Sequence, residues 1–307
     1  MEFSKPGSIA AERPRARVGA AYSAIVGWGA TKALPPRLRG LAYRAFARAV
    51  GANLDEVELD LARYASLGDF FARKLRHGAR VIDPAPGAII SPCDGVVAAR
   101  GAAVAGALVQ AKGRTYQLAE LVADAALAAR LTGGAYATIY LSPRDYHRVH
   151  VPVDATVLGY DYLPGALWSV NPRVAARRDG VIARNERVVF RLDAGALGRV
   201  ALVMVGAGGV GNIRLAPALG GPSGPPDSAW WRAAREPRRV ELSGVRVARG
   251  DELGAFRLGS TVVVVFEPGR VELEGDVGAA VQFGQRLGRI TGPGRRGGGG
   301  PAAGGTA

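Results

Sequence analysis

A series of short, β-branched apolar runs begins near residue 80, continues almost to the C-terminus, and constrains the fold more than any other feature. "GAII" (87–90), "YATIYL" (136–141), "RVVFRL" (187–192), "RVALVMV" (199–205) and "TVVVVF" (261–266) are of strand length and separated by Gly, Pro and Asp. Helical periodicity is scarce across this stretch, apart from "LAELVADAALAARL" (118–131). The spacing predicts an α+β chain with a mostly antiparallel β-sandwich or barrel-like core and amphipathic helices concentrated at the N-terminus. The expected division is a helical, basic region over 1–79, a β-rich domain over 80–291 and a disordered glycine-rich tail over 292–307.

The N-terminal region stands apart by its charge. Between Arg13 and Leu54 there is no acidic residue, but there are Arg13, Arg15, Arg17, Lys32, Arg37, Arg39, Arg44 and Arg48. In "PPRLRGLAYRAFARAVG" (35–51), Leu38, Leu41, Ala45, Phe46, Ala49 and Val50 recur at helical spacing, with Arg37, Arg44 and Arg48 expected on the other side. Pro35-Pro36 starts this helix and Gly51 ends it. Upstream, Tyr22, Ile25, Val26 and Trp28 add apolar side chains. A basic amphipathic helix of this kind suits an anionic bilayer surface, where each Lys or Arg contributes roughly 1 kcal/mol. A surface helix packed on the core remains the alternative. The net charge of +14 also asks for an anionic partner, but no nucleic-acid-binding motif accompanies it.

Several classes are excluded or set aside. No stretch reaches the ~18 apolar residues of a membrane span, and the N-terminus lacks the compact apolar segment of a secretory signal. Its Arg-rich, acid-poor character leaves an organelle transit peptide open. The single cysteine, Cys93, rules out an internal disulfide and a cysteine-based zinc cage. "GAGGVG" (206–211) matches the outline of a dinucleotide fingerprint, but "NIRLAPALGGPSGPP" follows it where a helix would have to open. A glycine-permitted bend between strands is the better reading.

Of three histidines, His77, His147 and His150, two lie in "YLSPRDYHRVHVP" (140–152). On a strand, residues three apart point to opposite faces, so the pair is poorly placed to chelate one ion. An acid/base role instead needs a nucleophile and a carboxylate. "IISPCDGVV" (89–97) offers Asp94 in a turn between apolar strands, and "AFRLGSTVVVVFEPG" (255–269) offers Gly259-Ser260-Thr261 at the mouth of one. Taken singly, Asp94 reads equally as a turn former and Ser260 as a strand-start residue.

Taken together, and with "GWGATK" (27–32), "FFARKLR" (70–76), "LPGALWSVNP" (163–172) and "ARNERVV" (183–189), these segments resemble the phosphatidylserine decarboxylases, pyruvoyl-dependent enzymes of bacterial type. The resemblance spans roughly residues 20–290. Departures are Cys93, where a small residue such as Ala is expected, the segment 219–231 and the glycine-rich tail.

The resemblance implies that 80–291 is the catalytic domain and that Asp94, His150 and Ser260 form a self-processing triad cutting between Gly259 and Ser260. His147 would serve the later decarboxylation. Ser260 would become a covalent pyruvoyl group, so neither an external cofactor nor a metal is expected. The implied partners are phosphatidylserine, an anionic membrane surface and the chain's own two fragments held as a heterodimer, with no nucleic acid. The implied location is peripheral, on the cytoplasmic face of a bacterial inner membrane. A decarboxylase for another seryl lipid, such as an archaetidylserine-type headgroup, and a non-processing membrane- or nucleic-acid-binding β protein are the competing readings.

Overall fold

The computed structural model describes residues 32–111, 113–207, 213–219, 236–257 and 259–291. Arg13, Arg15, Arg17, the Tyr22–Trp28 apolar cluster, most of "GAGGVG", most of 219–231 and the glycine-rich tail lie outside the described residues.

The described strands are β1 (Ala88–Ile90), β2 (Gly95–Ala102), β3 (Ala107–Ala111), β4 (Arg114–Gln117), β5 (Ala135–Leu141), β6 (Arg148–His150), β7 (Ala155–Leu163) and β8 (Arg187–Asp193). They continue as β9 (Arg199–Gly206), β10 (Ile213–Leu215), β11 (Arg238–Val247), β12 (Glu252–Phe256), β13 (Ser260–Phe266), β14 (Val271–Leu273), β15 (Ala280–Val281) and β16 (Arg286–Ile290). Among the described residues the α-helices are α1 (Pro36–Val50), α2 (Leu67–Phe71), α3 (Leu118–Val122), α4 (Ala125–Leu131), α5 (Pro172–Ala175) and α6 (Val181–Arg184).

An antiparallel eight-stranded sheet in the order β11-β7-β8-β9-β13-β5-β2-β15 forms the centre. Strand β13 lies inside it, paired with β5 on one side and β9 on the other. Its sequence STVVVVF is buried at every position, which explains why it shows no polar alternation. Val262, Val264 and Phe266 join a cluster with Val149 of β6, Ile213 and Leu215 of β10, and Leu253 and Phe256 of β12. Val263 and Val265 join a second cluster with Leu118 and Leu121 of α3, Leu127 and Leu131 of α4, and Ile182 of α6. The large sheet is therefore covered by small sheets on one face and by short helices on the other. Each valine so buried contributes roughly 1.5–3 kcal/mol.

The mostly antiparallel α+β core matches the sequence expectation, but helices are not confined to the N-terminus. The 118–131 pattern is two helices, α3 and α4, broken where Ala123 turns left-handed (φ 51°). Asp124 then caps α4 by accepting from the Leu127 N–H at 2.9 Å.

Helix α1 has the predicted bounds, ending at a left-handed Gly51 (φ 78°) whose N–H bonds the Ala47 carbonyl. Its faces differ from the expected ones. Tyr43 and Ala47 are buried, whereas Leu38 and Leu41 are 53% and 68% exposed beside exposed Arg37, Arg44 and Arg48. The packing partner is small: Tyr43 stacks on Phe70 at 5.0 Å within a cluster with Val57 and Tyr64. Two leucines are thus left in solvent among arginines. Arg39 is committed elsewhere, bonding the carbonyls of Leu34 and Ala62.

Candidate active site

Ser260 is the first residue of β13, fully buried, opposite Leu141 of β5 and Gly206 of β9. Its hydroxyl has no hydrogen-bond partner among the described residues. A buried hydroxyl left unsatisfied costs about 1–3 kcal/mol, so a plain packing role is a poor account of it. At Gly259, a Cβ would meet no atom within 4 Å beyond its chain neighbours, which leaves the approach to this residue uncluttered.

Asp94 sits in the tight turn between β1 and β2, as its Pro/Gly surroundings predict. Gly95 makes that turn possible, since a Cβ there would lie 2.4 Å from the Tyr140 carbonyl oxygen of β5. Asp94 is only 5% exposed, and its carboxylate accepts from the Phe283 N–H at 2.8 Å and from Arg80 Nε at 3.0 Å and Nη2 at 2.5 Å. Arg80 also pairs with Glu56 at 3.0 Å. Burial alone would lower the Arg80 pKa, but its hydrogen bonds to Asp94 and Glu56 outweigh that and raise it.

The histidines occupy separate buried niches. His147 precedes β6, and its Nδ1 bonds the Asp145 carbonyl at 2.8 Å. Because a carbonyl only accepts, Nδ1 carries the proton and the lone pair lies on Nε2. That Nε2 has no partner among the described residues, and Phe71 of α2 packs edge-on against the ring at 4.5 Å. His150 is placed by β6 pairing with β12, opposite Glu252. Its Nδ1 donates to the Gly250 carbonyl at 2.8 Å, and its Nε2 accepts from the Tyr146 hydroxyl at 3.1 Å. Phe283 stacks on it at 3.7 Å. Burial pushes His147 down to about 3 and His150 down to about 4, so both imidazoles are neutral at ordinary pH. The third histidine, His77, is exposed.

Asp94 and His150 both meet Phe283, His147 holds the Asp145 carbonyl and Ser260 lies opposite Leu141, but two contacts differ from expectation. Asp94 does not orient His150 in this structure; the Gly250 carbonyl does, because Arg80 and the Phe283 N–H hold the Asp94 carboxylate. Asp94 acts on His150 only as a nearby charge, which favours the protonated imidazole. Nor does Ser260 contact His150 by a hydrogen bond.

The family model for phosphatidylserine decarboxylase matches residues 67–289, which include all four predicted residues. A phosphatidylserine decarboxylase proenzyme of Anaeromyxobacter sp. is 44% identical over 278 residues, covering 90% of this chain and 94% of its own. Those of Myxococcus xanthus (38% over 275 residues; 88% and 94% covered) and Methylibium petroleiphilum (43% over 248 residues; 80% and 84% covered) are similar. The chain belongs to the phosphatidylserine decarboxylase family.

The structure places beside the predicted residues others that the sequence did not single out. Tyr146 and Phe283 flank His150, and Arg80 holds Asp94. The "FFARKLR" segment forms a wall: besides Phe71 on His147, Arg73 is 3% exposed and donates through Nη2 to the carbonyls of Arg144 and Asp145. Asn185, fully buried, ties Gly206, opposite Ser260, to the loop after β7, its Nδ2 donating to the carbonyls of Gly206 and Trp168 at 3.0 and 2.8 Å. Tyr146, Arg73 and Asn185 all stand inside quoted motifs, which was the available signal. Arg80 and Phe283 stand in none.

Proposed function

We infer that this protein converts phosphatidylserine to phosphatidylethanolamine and CO2, and that it matures by cutting itself between Gly259 and Ser260. The activity rests on family membership. The self-processing rests chiefly on one observation: a buried Ser260 hydroxyl at the start of a strand, without a hydrogen-bond partner among the described residues.

Serine becomes a competent nucleophile when a base removes its proton. His150 is that base, with the Asp94 charge supporting the imidazolium that forms. The Ser260 oxygen attacks the Gly259 carbonyl carbon, turning the amide into an ester. Loss of the Ser260 α-proton then expels Gly259 as a carboxylate and leaves dehydroalanine. Water converts this to a pyruvoyl group with release of ammonia. Residue 260 fits that outcome: it is buried, fixed between two strands and, among the described residues, its hydroxyl has no competing partner. The pyruvoyl carbonyl supplies the electron sink for loss of CO2. His147 Nε2, which carries the lone pair of the neutral ring, takes up a proton from water and passes it to the carbon that has lost CO2.

Cutting this bond need not separate the fragments. The piece beginning at Ser260 contributes β13 between β5 and β9, β15 against β2, and β14 and β16 in a sheet with β1. The two fragments are thus a heterodimer built on one shared core.

Helix α1, with exposed Leu38 and Leu41 among Arg37, Arg44 and Arg48, is the surface that meets an anionic bilayer. Among the described residues, no helix is long and apolar enough to cross a membrane. The proposed placement is peripheral, on the cytoplasmic face of a bacterial inner membrane, with 1–79 as the lipid-facing region and 80–291 as the catalytic domain. Ser260→Ala tests the processing scheme. It should remain one chain without activity; cleavage at the same bond would overturn the role of Ser260.

A further inference from the structure

We propose that Tyr146 caps the processing base in the uncleaved chain, so that opening of its hydrogen bond to His150 precedes self-cleavage. This rests on His150 being the base. The argument begins with the tautomer. The Gly250 carbonyl, 2.8 Å from Nδ1, can only accept, so the proton of the neutral ring is on Nδ1. The one lone pair able to take a proton from Ser260 is on Nε2, and it is occupied by the Tyr146 hydroxyl at 3.1 Å.

The cap is held firmly. Tyr146 is 6% exposed, and its ring lies 25° from the His150 plane, with Phe283 on His150 at 3.7 Å. Burial raises the phenol's pKa, so it stays a neutral donor. Meanwhile the Ser260 hydroxyl is without a partner among the described residues. The resting arrangement thus satisfies the base with the wrong donor and leaves the nucleophile waiting. A phenol that swings away exposes Nε2 while Gly250 continues to hold Nδ1.

The charged and titratable groups around His150 are Glu252 opposite it on β12, Arg148 two residues before it on β6, and Asp94 from the β1–β2 turn, itself held by Arg80. None of them occupies Nε2 in the structure. The phenol is therefore the group whose removal changes the state of that nitrogen.

Tyr146→Phe keeps the ring and deletes only the hydroxyl. Wild type, Tyr146→Phe and His150→Ala are synthesised in a cell-free system, and appearance of the 260–307 fragment is timed across a pH series. Tyr146→Phe should cleave faster, by roughly two- to tenfold, the range a neutral hydrogen bond spans. Its acid limb should also move to higher pH, because a donor that favoured the neutral imidazole is gone. A merely structural loss would slow cleavage and leave that limb in place. Cleavage of Tyr146→Phe that is equal or slower, or an unmoved acid limb, overturns the cap; if His150→Ala stays uncleaved in the same experiment, the base assignment survives. Cleavage of His150→Ala overturns the base assignment and the cap with it.

Discussion

The pH dependence of self-cleavage follows from where His150 lies. The ring is buried, stacked on Phe283, and pushed down to about 4 by that burial. Only the neutral imidazole accepts the Ser260 proton. At pH 5.5 a group with a pKa of about 4 is roughly 97% neutral, whereas a histidine with the ordinary value of about 6.5 is roughly 9% neutral. Cleavage at pH 5.5 should therefore keep nearly its whole rate at pH 7.5, where an ordinary histidine would lose about tenfold. Proenzyme made by cell-free synthesis and shifted into buffers from pH 5 to 8 provides the assay, read as release of the C-terminal fragment on a gel. A tenfold fall between pH 7.5 and 5.5 would refute the reasoning. The same depressed values govern stability. The unfolded chain takes up protons below about pH 6.5 that the folded chain refuses, so stability is complete above that value and is lost as pH falls toward 4. For His147 and His150 together the slope approaches about 2.7 kcal/mol per pH unit. Urea unfolding of Ser260→Ala from pH 7.5 to 4.5 should show it, and replacing both histidines by glutamine should flatten it.

Two further outcomes separate the remaining claims. His150→Ala should stay uncleaved, while His147→Ala should be cleaved yet release labelled CO2 from phosphatidylserine slowly; two uncleaved variants would mean that the histidines share the processing step. Neutralising Arg37, Arg44 and Arg48 together should weaken sedimentation with anionic vesicles, and added salt should weaken wild-type binding, since exposed charges are screened over roughly 8 Å at physiological ionic strength. Equal binding to neutral and anionic vesicles would contradict the electrostatic part.

How far the sequence could be read depended on what each signal encodes. The unbroken run Thr261–Phe266 announced a strand buried on both faces, because no polar residue had to face water. The caps of α1 were legible for the same local reason: proline starts and glycine ends a helix by backbone geometry alone. The outward turn of Leu38 and Leu41 was not legible, because periodicity shows that apolar residues share a helix but not which of them finds a packing partner. Tyr43, with a ring to lay on Phe70, won the buried face instead. Asp94, His147, His150 and Ser260 could be nominated from their motifs, and all four are buried in the fold. The hold of Arg80 on Asp94 could not be foreseen. It joins residues fourteen apart in sequence across a turn, and no periodic pattern records such a contact. Phe283, nearly two hundred residues from Asp94, reaches it only through the tertiary fold.

The most direct test of the central claim is the intact mass of the purified protein beside Ser260→Ala. Self-processing predicts two wild-type chains, residues 1–259 and a fragment starting at position 260 whose N-terminal residue has the mass of pyruvoyl rather than serine, with Ser260→Ala remaining a single chain of 307 residues. A wild-type protein of one uncut chain, or a second fragment beginning with unmodified serine, would contradict it.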